Sequence, residues 1–258
     1  TNNYVNVIEG CRIKVIRYKI IGDLFASIHR KVKENVEHVQ IGFSWYSTER
    51  SKFKILQQLV AENDVLICND SFELEFINYF GLKNKIVYIL HGDLNHYRNI
   101  LDAYNSSMDL VLCVSKGLKN KYGPLYPKLE FGVSHPFLAD VLEKTPEVRI
   151  VPNCVFVGKF EYQKGADLFL DLVGSCSMEM NWTIAAITDG SEADLLDRIP
   201  SHVKIYMDLP NERVLEILDH ADILIFPSRT EGFGIAVLEA MSRAVVPIVL
   251  DIPIGIPD

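Results

Sequence analysis

The sequence has little cysteine and no ordered arrangement of it. Five cysteines (Cys11, Cys68, Cys113, Cys154 and Cys176) are scattered over 258 residues, and no C-x-x-C pair occurs. That pattern argues against a zinc site and against a disulfide framework. Cys68, Cys113 and Cys154 sit inside apolar runs, so buried thiols in a reducing cytosol are expected. No apolar run approaches the roughly 20 residues a membrane-spanning helix needs, and no signal-peptide pattern opens the sequence. The expected location is cytoplasmic. Metal-ligand spacing is missing too: His91 and His96 flank Asp93, but no third ligand accompanies them at a fixed spacing. No metal is expected.

What is present is an ordinary globular composition, 48% hydrophobic and 23% charged, long enough to bury a sizeable core without covalent staples. The formal charge is -8, which argues against nucleic acid as a partner. The charge is unevenly spread. Residues 1–135 carry 17 Lys+Arg and 14 Asp+Glu, a balance of +3, whereas residues 136–258 carry 9 and 20, a balance of -11. Two halves of different character suggest two domains with different partners. The basic first half is compatible with an anionic acceptor or a peripheral contact on a membrane's inner face.

Short apolar runs alternate with amphipathic stretches throughout. Strands are expected at Val5–Ile8, Ile13–Tyr18, Val39–Phe43, Val65–Asn69, Ile86–Leu90, Leu110–Val114 and Lys128–Phe131, and then at Cys154–Val157, Thr183–Ile187, Val203–Tyr206, Ile223–Phe226 and Val246–Leu250. Helical spacing falls between them at Ser51–Glu62, Glu73–Phe80, Ile100–Ser107, Lys164–Val173, Asn211–Ala221 and Ile235–Arg243. Runs such as Asp222–Phe226 are apolar on both faces, as strands covered on both sides should be. The alternation implies β-α-β units and parallel sheets. Pro136, Pro146 and Pro152 mark a break. The expected architecture is α/β: two doubly wound Rossmann-like domains, residues 1–138 and 139–258, facing a cleft, with ligands gathered at strand carboxyl ends.

The most informative stretch runs from Phe226 to Ala240. A buried strand ends at Phe226, Pro227 and Ser228 stop it, Glu231, Gly232, Phe233 and Gly234 make a loop, and a helix starts near Ile235. The glycines let backbone approach a ligand, and the first helical N–H groups favour anions or hydroxyl-rich ligands. Glu239 follows Glu231 by eight residues, a spacing read as about two helical turns, or roughly 12 Å. A carboxylate can accept a vicinal diol, so a ribose or hexose is a natural ligand.

This string resembles the Glu-x7-Glu signature of the retaining, glycogen-synthase-like glycosyltransferases of family 4 (glycosyl transferases group 1), which have the GT-B fold. Val157, Gly158, Lys159 and Phe160, followed by Lys164 and Gly165, resemble that family's G-R-L-x-x-x-K-G block, with Lys159 in place of arginine, which keeps the charge and loses the bidentate fork. Thr188, Asp189, Gly190 and Ser191 stand where the family has a G-x-G-P turn, of which only Gly190 is kept. The resemblance covers Asn153–Leu250. In the first half it is fainter: Val111–Ser115 is similar to a family strand ending in Val-Ser, Phe131–Ser134 to its N-G-V-D, and His91 to its catalytic-loop histidine. No glycine-rich loop follows the first strand, because Gly10 and Gly22 stand alone. Ile254–Asp258 resembles the start of the family's G-G-I-P-E-I segment, so the C-terminal end is expected to be truncated.

The resemblance implies transfer of a hexose-type sugar, with retention, from a nucleoside diphosphate sugar such as a UDP-sugar to a glycan or lipid-linked acceptor. The donor is the substrate; no cofactor and no metal are implied. His91, Lys164 and Glu231 take the catalytic roles. Lys159, Lys164, Gly190, Glu231, Gly232, Phe233, Gly234 and Glu239 bind the donor, with the lysines at the diphosphate and Glu239 at the ribose. Retaining glycosidases hold two carboxyls about 5 Å apart, and the wider spacing here argues for front-face chemistry. Two alternatives remain open: a non-catalytic nucleotide-sugar-binding or regulatory subunit of the same fold, and an epimerase or hydrolase acting on the nucleotide sugar.

Overall fold

A computed structural model describes residues 15–19, 27–29, 39–42, 65–136, 138, 149–253 and 255. The expected strand Val5–Ile8, the expected helix Ser51–Glu62 and most of the proline-bearing break lie outside those residues. The chain divides into two compact units, Val5–His135 and a second containing Pro136–Asp258.

In the first unit the described strands are β1 (Val15–Lys19), β2 (Ser27–His29), β3 (Val39–Gly42), β4 (Val65–Cys68), β5 (Lys85–Leu90), β6 (Leu110–Cys113) and β7 (Glu130–Val133). They form one sheet in the order β2-β1-β3-β4-β5-β6-β7. Every pairing from β1 through β7 is parallel. β2 is the exception, antiparallel to β1 with Tyr18 opposite Ile28. The sequence reading placed no strand there, because three residues are too few to show an alternation. The helices α1 (Ser71–Phe80), α2 (Asn95–Tyr104) and α3 (Lys116–Tyr122) separate the later strands. α1 begins at Asp70 with a capping box to Glu73 and ends at Gly81, whose φ of 61° suits glycine.

The second unit holds β8 (Asn153–Lys159), β9 (Asn181–Ile187), β10 (Lys204–Met207), β11 (Ile223–Phe226) and β12 (Val246–Val249), with α4 (Ala166–Ser175), α5 (Ala193–Asp197), α6 (Asn211–Asp219) and α7 (Ile235–Met241) between them. The order is β10-β9-β8-β11-β12, parallel throughout. This is the doubly wound arrangement, because sequence order reverses direction between β8 and β11. β8 shows why the sheet forms. Cys154 and Phe156 join a core with Phe169, Leu170, Trp182 and Ile184 on one face. Val155 and Val157 join Leu218, Leu224, Val237 and Ala240 on the other. A strand that alternates apolar side chains into two cores needs helices on both sides. Among the described residues no helix is long and apolar enough to cross a membrane.

Several expected boundaries shift; the helix expected at Ile100–Ser107 already starts at Asn95. The helix expected from Lys164 starts at Ala166, and Lys164 instead closes a 3₁₀ turn, Tyr162–Lys164, ahead of a left-handed Gly165 with φ 73°. The helix carrying Glu239 starts at Ile235 as expected, and Glu239 lies about one turn into it with Glu231 in the preceding loop. The two glutamates are therefore not separated by two turns of one helix.

Candidate functional site

The reversal between β8 and β11 puts two strand ends side by side, and the loops that leave them carry most of the residues singled out from sequence. β8 ends at Lys159 and leads to Lys164 through the 3₁₀ turn. β11 ends at Phe226 and leads to Glu231, Gly232, Phe233 and Gly234. In such sheets this reversal is where ligands bind.

Several contacts hold the loops together. Lys164 Nζ donates to Glu231 Oε1 at 2.7 Å, with the Glu231 side chain only 10% exposed. Arg229 donates through both terminal nitrogens to the Asp167 carboxylate, at 2.7 and 2.8 Å, and its backbone N–H donates to the Gln163 carbonyl at 3.0 Å. Gly165 lies against Pro227 so closely that a Cβ would fall 2.0 Å from the Pro227 carbonyl oxygen. Ser228, fully buried, ties the loop internally by donating its hydroxyl to the Thr230 carbonyl at 3.0 Å. Gly234 adopts φ 86° at the start of α7, a conformation that suits glycine. A Cβ on Gly255 would come within 3.0 Å of Gly232 backbone, so the chain near its end also leans on this loop.

Glu239 is buried, at 8% exposure. Burial raises its pKa, while the Asn211 side chain and the Arg243 charge act in the opposite direction. Lys159 lies at the same edge. It pairs with Glu161 at 2.8 Å and Asp189 at 3.1 Å, and these partners raise its pKa. Asp189 belongs to the turn after β9, where Ser191 N–H donates to it at 2.9 Å and Gly190, at φ 76°, donates to Thr188 Oγ1 at 3.1 Å. The bonds from Ser191 and then Lys159 hold the Asp189 carboxyl well below its ordinary range.

Lys159, Lys164, Gly190, Glu231, Gly232, Phe233, Gly234 and Glu239 thus all belong to the second unit, at or just beyond the carboxyl ends of β8, β9 and β11. His91 belongs to the first, one residue beyond β5. Its Nε2 lies 3.0 Å from Asn69 Oδ1, and the surrounding chain lowers its pKa by desolvation, against a smaller raising effect of Asp70. Asp93 pairs with Lys121 at 2.7 Å and Tyr122 at 2.9 Å, while His96 turns to Asp70 at 3.2 Å, so His91, Asp93 and His96 do not converge.

Residues 151–258 match the model of the family glycosyl transferases group 1. That segment, 108 of the chain's 258 residues, is similar to the group 1 glycosyltransferases. An uncharacterized glycosyltransferase of Methanocaldococcus jannaschii is 25% identical over 62% of this chain and 48% of its own length. A GDP-mannose:cellobiosyl-diphosphopolyprenol alpha-mannosyltransferase of Xanthomonas campestris is 30% identical over 38% of this chain and 28% of its own. The chain thus spans half or less of these curated relatives. Among solved structures, Anabaena HepE in complex with UDP and glucose superposes with a TM-score of 0.64 at 16% identity, over 84% of this chain and 67% of that one. TarM superposes at 0.67 and 14% identity, over 80% of this chain and 45% of that one. The likeness establishes the fold, α/β with parallel sheets, shared with GT-B glycosyltransferases.

Some partners of the residues at this site were not visible as such in the sequence. Arg229 lies 62 residues from Asp167, and no local pattern links them. Asn211, beside Glu239, opens α6 and looks like an ordinary first-turn residue. Gly165 carried a hint: a glycine between a turn and an apolar helical run suggests close packing.

Proposed function

We propose that the protein transfers a hexose-type sugar from a nucleoside diphosphate sugar to a glycan or lipid-linked acceptor, with the anomeric configuration retained. The Lys164–Glu231 pair at the reversal of the second sheet carries this reading. It puts a cation and a carboxylate 2.7 Å apart where a diphosphate and a sugar would meet. The donor C1–O bond breaks toward the diphosphate, the acceptor oxygen bonds to C1, and the acceptor proton passes to the departing phosphate oxygen. Negative charge grows on the phosphates, where Lys164 and Lys159 supply countercharge in place of a metal ion. For that, each lysine exchanges a carboxylate partner for phosphate. Glu231 and the amides from Gly232 to Gly234 hold sugar hydroxyls, Gly190 lets the 188–191 turn approach the nucleotide, and Glu239 accepts from the ribose diol. His91, on the first unit, takes a catalytic role. A lipid-linked acceptor would bring that unit, basic by sequence, to an anionic membrane surface.

The curated mannosyltransferase relative uses a GDP-sugar by name, and the HepE structure holds UDP and glucose. Both support a nucleoside diphosphate sugar and leave the base to experiment. A thermal-shift panel with UDP, GDP, ADP and their common sugar conjugates, without added metal, tests the proposal. A ligand at 100 times its dissociation constant adds about 2.7 kcal/mol, a shift of a few degrees. A shift with one base names the donor. No shift with any of them would sink the reading.

A further inference from the structure

At the carboxyl end of β4 the chain enters α1 through Asn69 and Asp70, and the neighbouring strand β5 delivers His91 beside them. The Glu73 carboxylate accepts from two backbone donors, Asp70 N–H at 2.8 Å and Asn69 N–H at 2.5 Å. The bond to Asp70 is the capping box of α1. The bond to Asn69 is not part of that motif, since Asn69 precedes the cap. An exposed glutamate would cap the helix as well, yet Glu73 is only 5% exposed. Asn69 in turn presents Oδ1 to His91 Nε2 at 3.0 Å.

The chemistry of the last contact is one-sided. An amide oxygen only accepts, so the facing imidazole nitrogen must carry the proton. A neutral His91 bonded this way is the Nε2–H tautomer, and Nδ1 is its remaining acceptor.

We propose that Asn69, with Glu73 behind it, is a positioning residue for His91: the carboxylate fixes the Asn69 backbone, the Asn69 amide fixes the imidazole tautomer, and Nδ1 is left to accept a substrate hydroxyl. This rests on the role given to His91 in the proposed transfer reaction. Asp70 lies within the same group and bonds His96 at 3.2 Å, so the loop that enters α1 holds two imidazoles through two different side chains.

The test separates the positioning from the catalytic reading. Long-range ¹H–¹⁵N correlation spectra of the uniformly labelled protein report histidine tautomers, and a His91→Gln spectrum assigns the His91 signals. The wild type should show Nε2–H in large excess. Asn69→Ala should give mixed tautomers, and Asn69→Asp should keep Nε2–H while raising the His91 titration midpoint by about 1–3 units, as an adjacent carboxylate does. Nucleotide affinity, read in the same samples, reports that the second unit is intact. Turnover in Asn69→Ala should fall about 10- to 100-fold, as expected for a misplaced group. A His91 tautomer and titration unchanged in both Asn69 variants would overturn the proposal. Full turnover in His91→Gln would overturn the catalytic reading of His91 instead, and the spectra would still show whether Asn69 holds the ring.

Discussion

Arg229 grips Asp167 through both of its terminal guanidinium nitrogens, at 2.7 and 2.8 Å, and so fastens the loop after β11 to the first turn of α4. The same arginine donates from its backbone to Gln163. Glu231, two residues on, is therefore held where Lys164 can reach it.

Loss of that grip should be felt in stability first. Arg229→Ala should cost about 1 kcal/mol, because a two-point pair with a partly exposed arginine stands at the upper end of surface ion pairs. The Arg229 bonds hold the Asp167 pKa below 3.8. A depressed carboxyl contributes stability that is present above its unfolded pKa and lost as pH falls through the folded value. Urea midpoints of wild type and Arg229→Ala should therefore differ at neutral pH and converge in strong acid. Curves separated equally at all pH values would contradict the assignment.

Gly165 should tolerate no side chain. Its φ of 73° disfavours a Cβ, and the atom would fall on the Pro227 carbonyl. Gly165→Ala should destabilise the fold by about 2 kcal/mol or more, from the left-handed conformation and the backbone clash together. Thermal melts read the stability. A melting temperature equal to that of the parent would show that the two loops can separate without cost.

Lys164 and Glu239 should fail in different ways. Lys164→Ala should lower kcat by about 10²- to 10³-fold, since it removes charge stabilisation that grows in the transition state. Glu239→Ala should instead weaken nucleotide binding about 10-fold or more, as the loss of bonds to a charged acceptor does. Isothermal titration with the nucleotide identified by the melting panel, set beside steady-state rates, separates the two. Unchanged nucleotide affinity in Glu239→Ala would remove it from the ribose.

Burial pushes the Glu73 pKa from 4.5 to about 7, despite the backbone N–H bonds of Asp70 and Asn69. A carboxyl raised in the folded state contributes stability that is fully present below its unfolded pKa and lost as pH rises through its folded one. Wild-type stability should thus fall between about pH 5 and pH 8 relative to Glu73→Gln, which accepts the same bonds without a charge. Paired urea titrations at those two values check the sign, and parallel behaviour of the two proteins would reject it.

The fold class was legible because its cause is local. Alternating apolar runs and amphipathic stretches place β8 through β12 and the helices α4, α6 and α7 within a few residues of where they lie, whereas the five-residue α5 is too short to show a period. The Phe226–Ala240 string was legible for the same reason: proline, two glycines and an apolar helix each act on their own neighbours. The edge strand β2 was not legible, since three residues hold no pattern and its partner comes from outside the segment. Nor was the start of α4: a lysine-glycine step reads as a helix opening until Gly165 is seen in the left-handed region.

The sequence by itself determined which residues could do the chemistry, because side-chain type and spacing are written in it: Lys159, Lys164, Glu231 and Glu239 in one half, His91 in the other. Tertiary structure alone decided what they meet. Lys164 finds Glu231, 67 residues away, and His91 finds Asn69, 22 away. Such pairings arise only when parallel strands with distant sequence positions end side by side, and strand order is a property of the packed sheet rather than of any local segment.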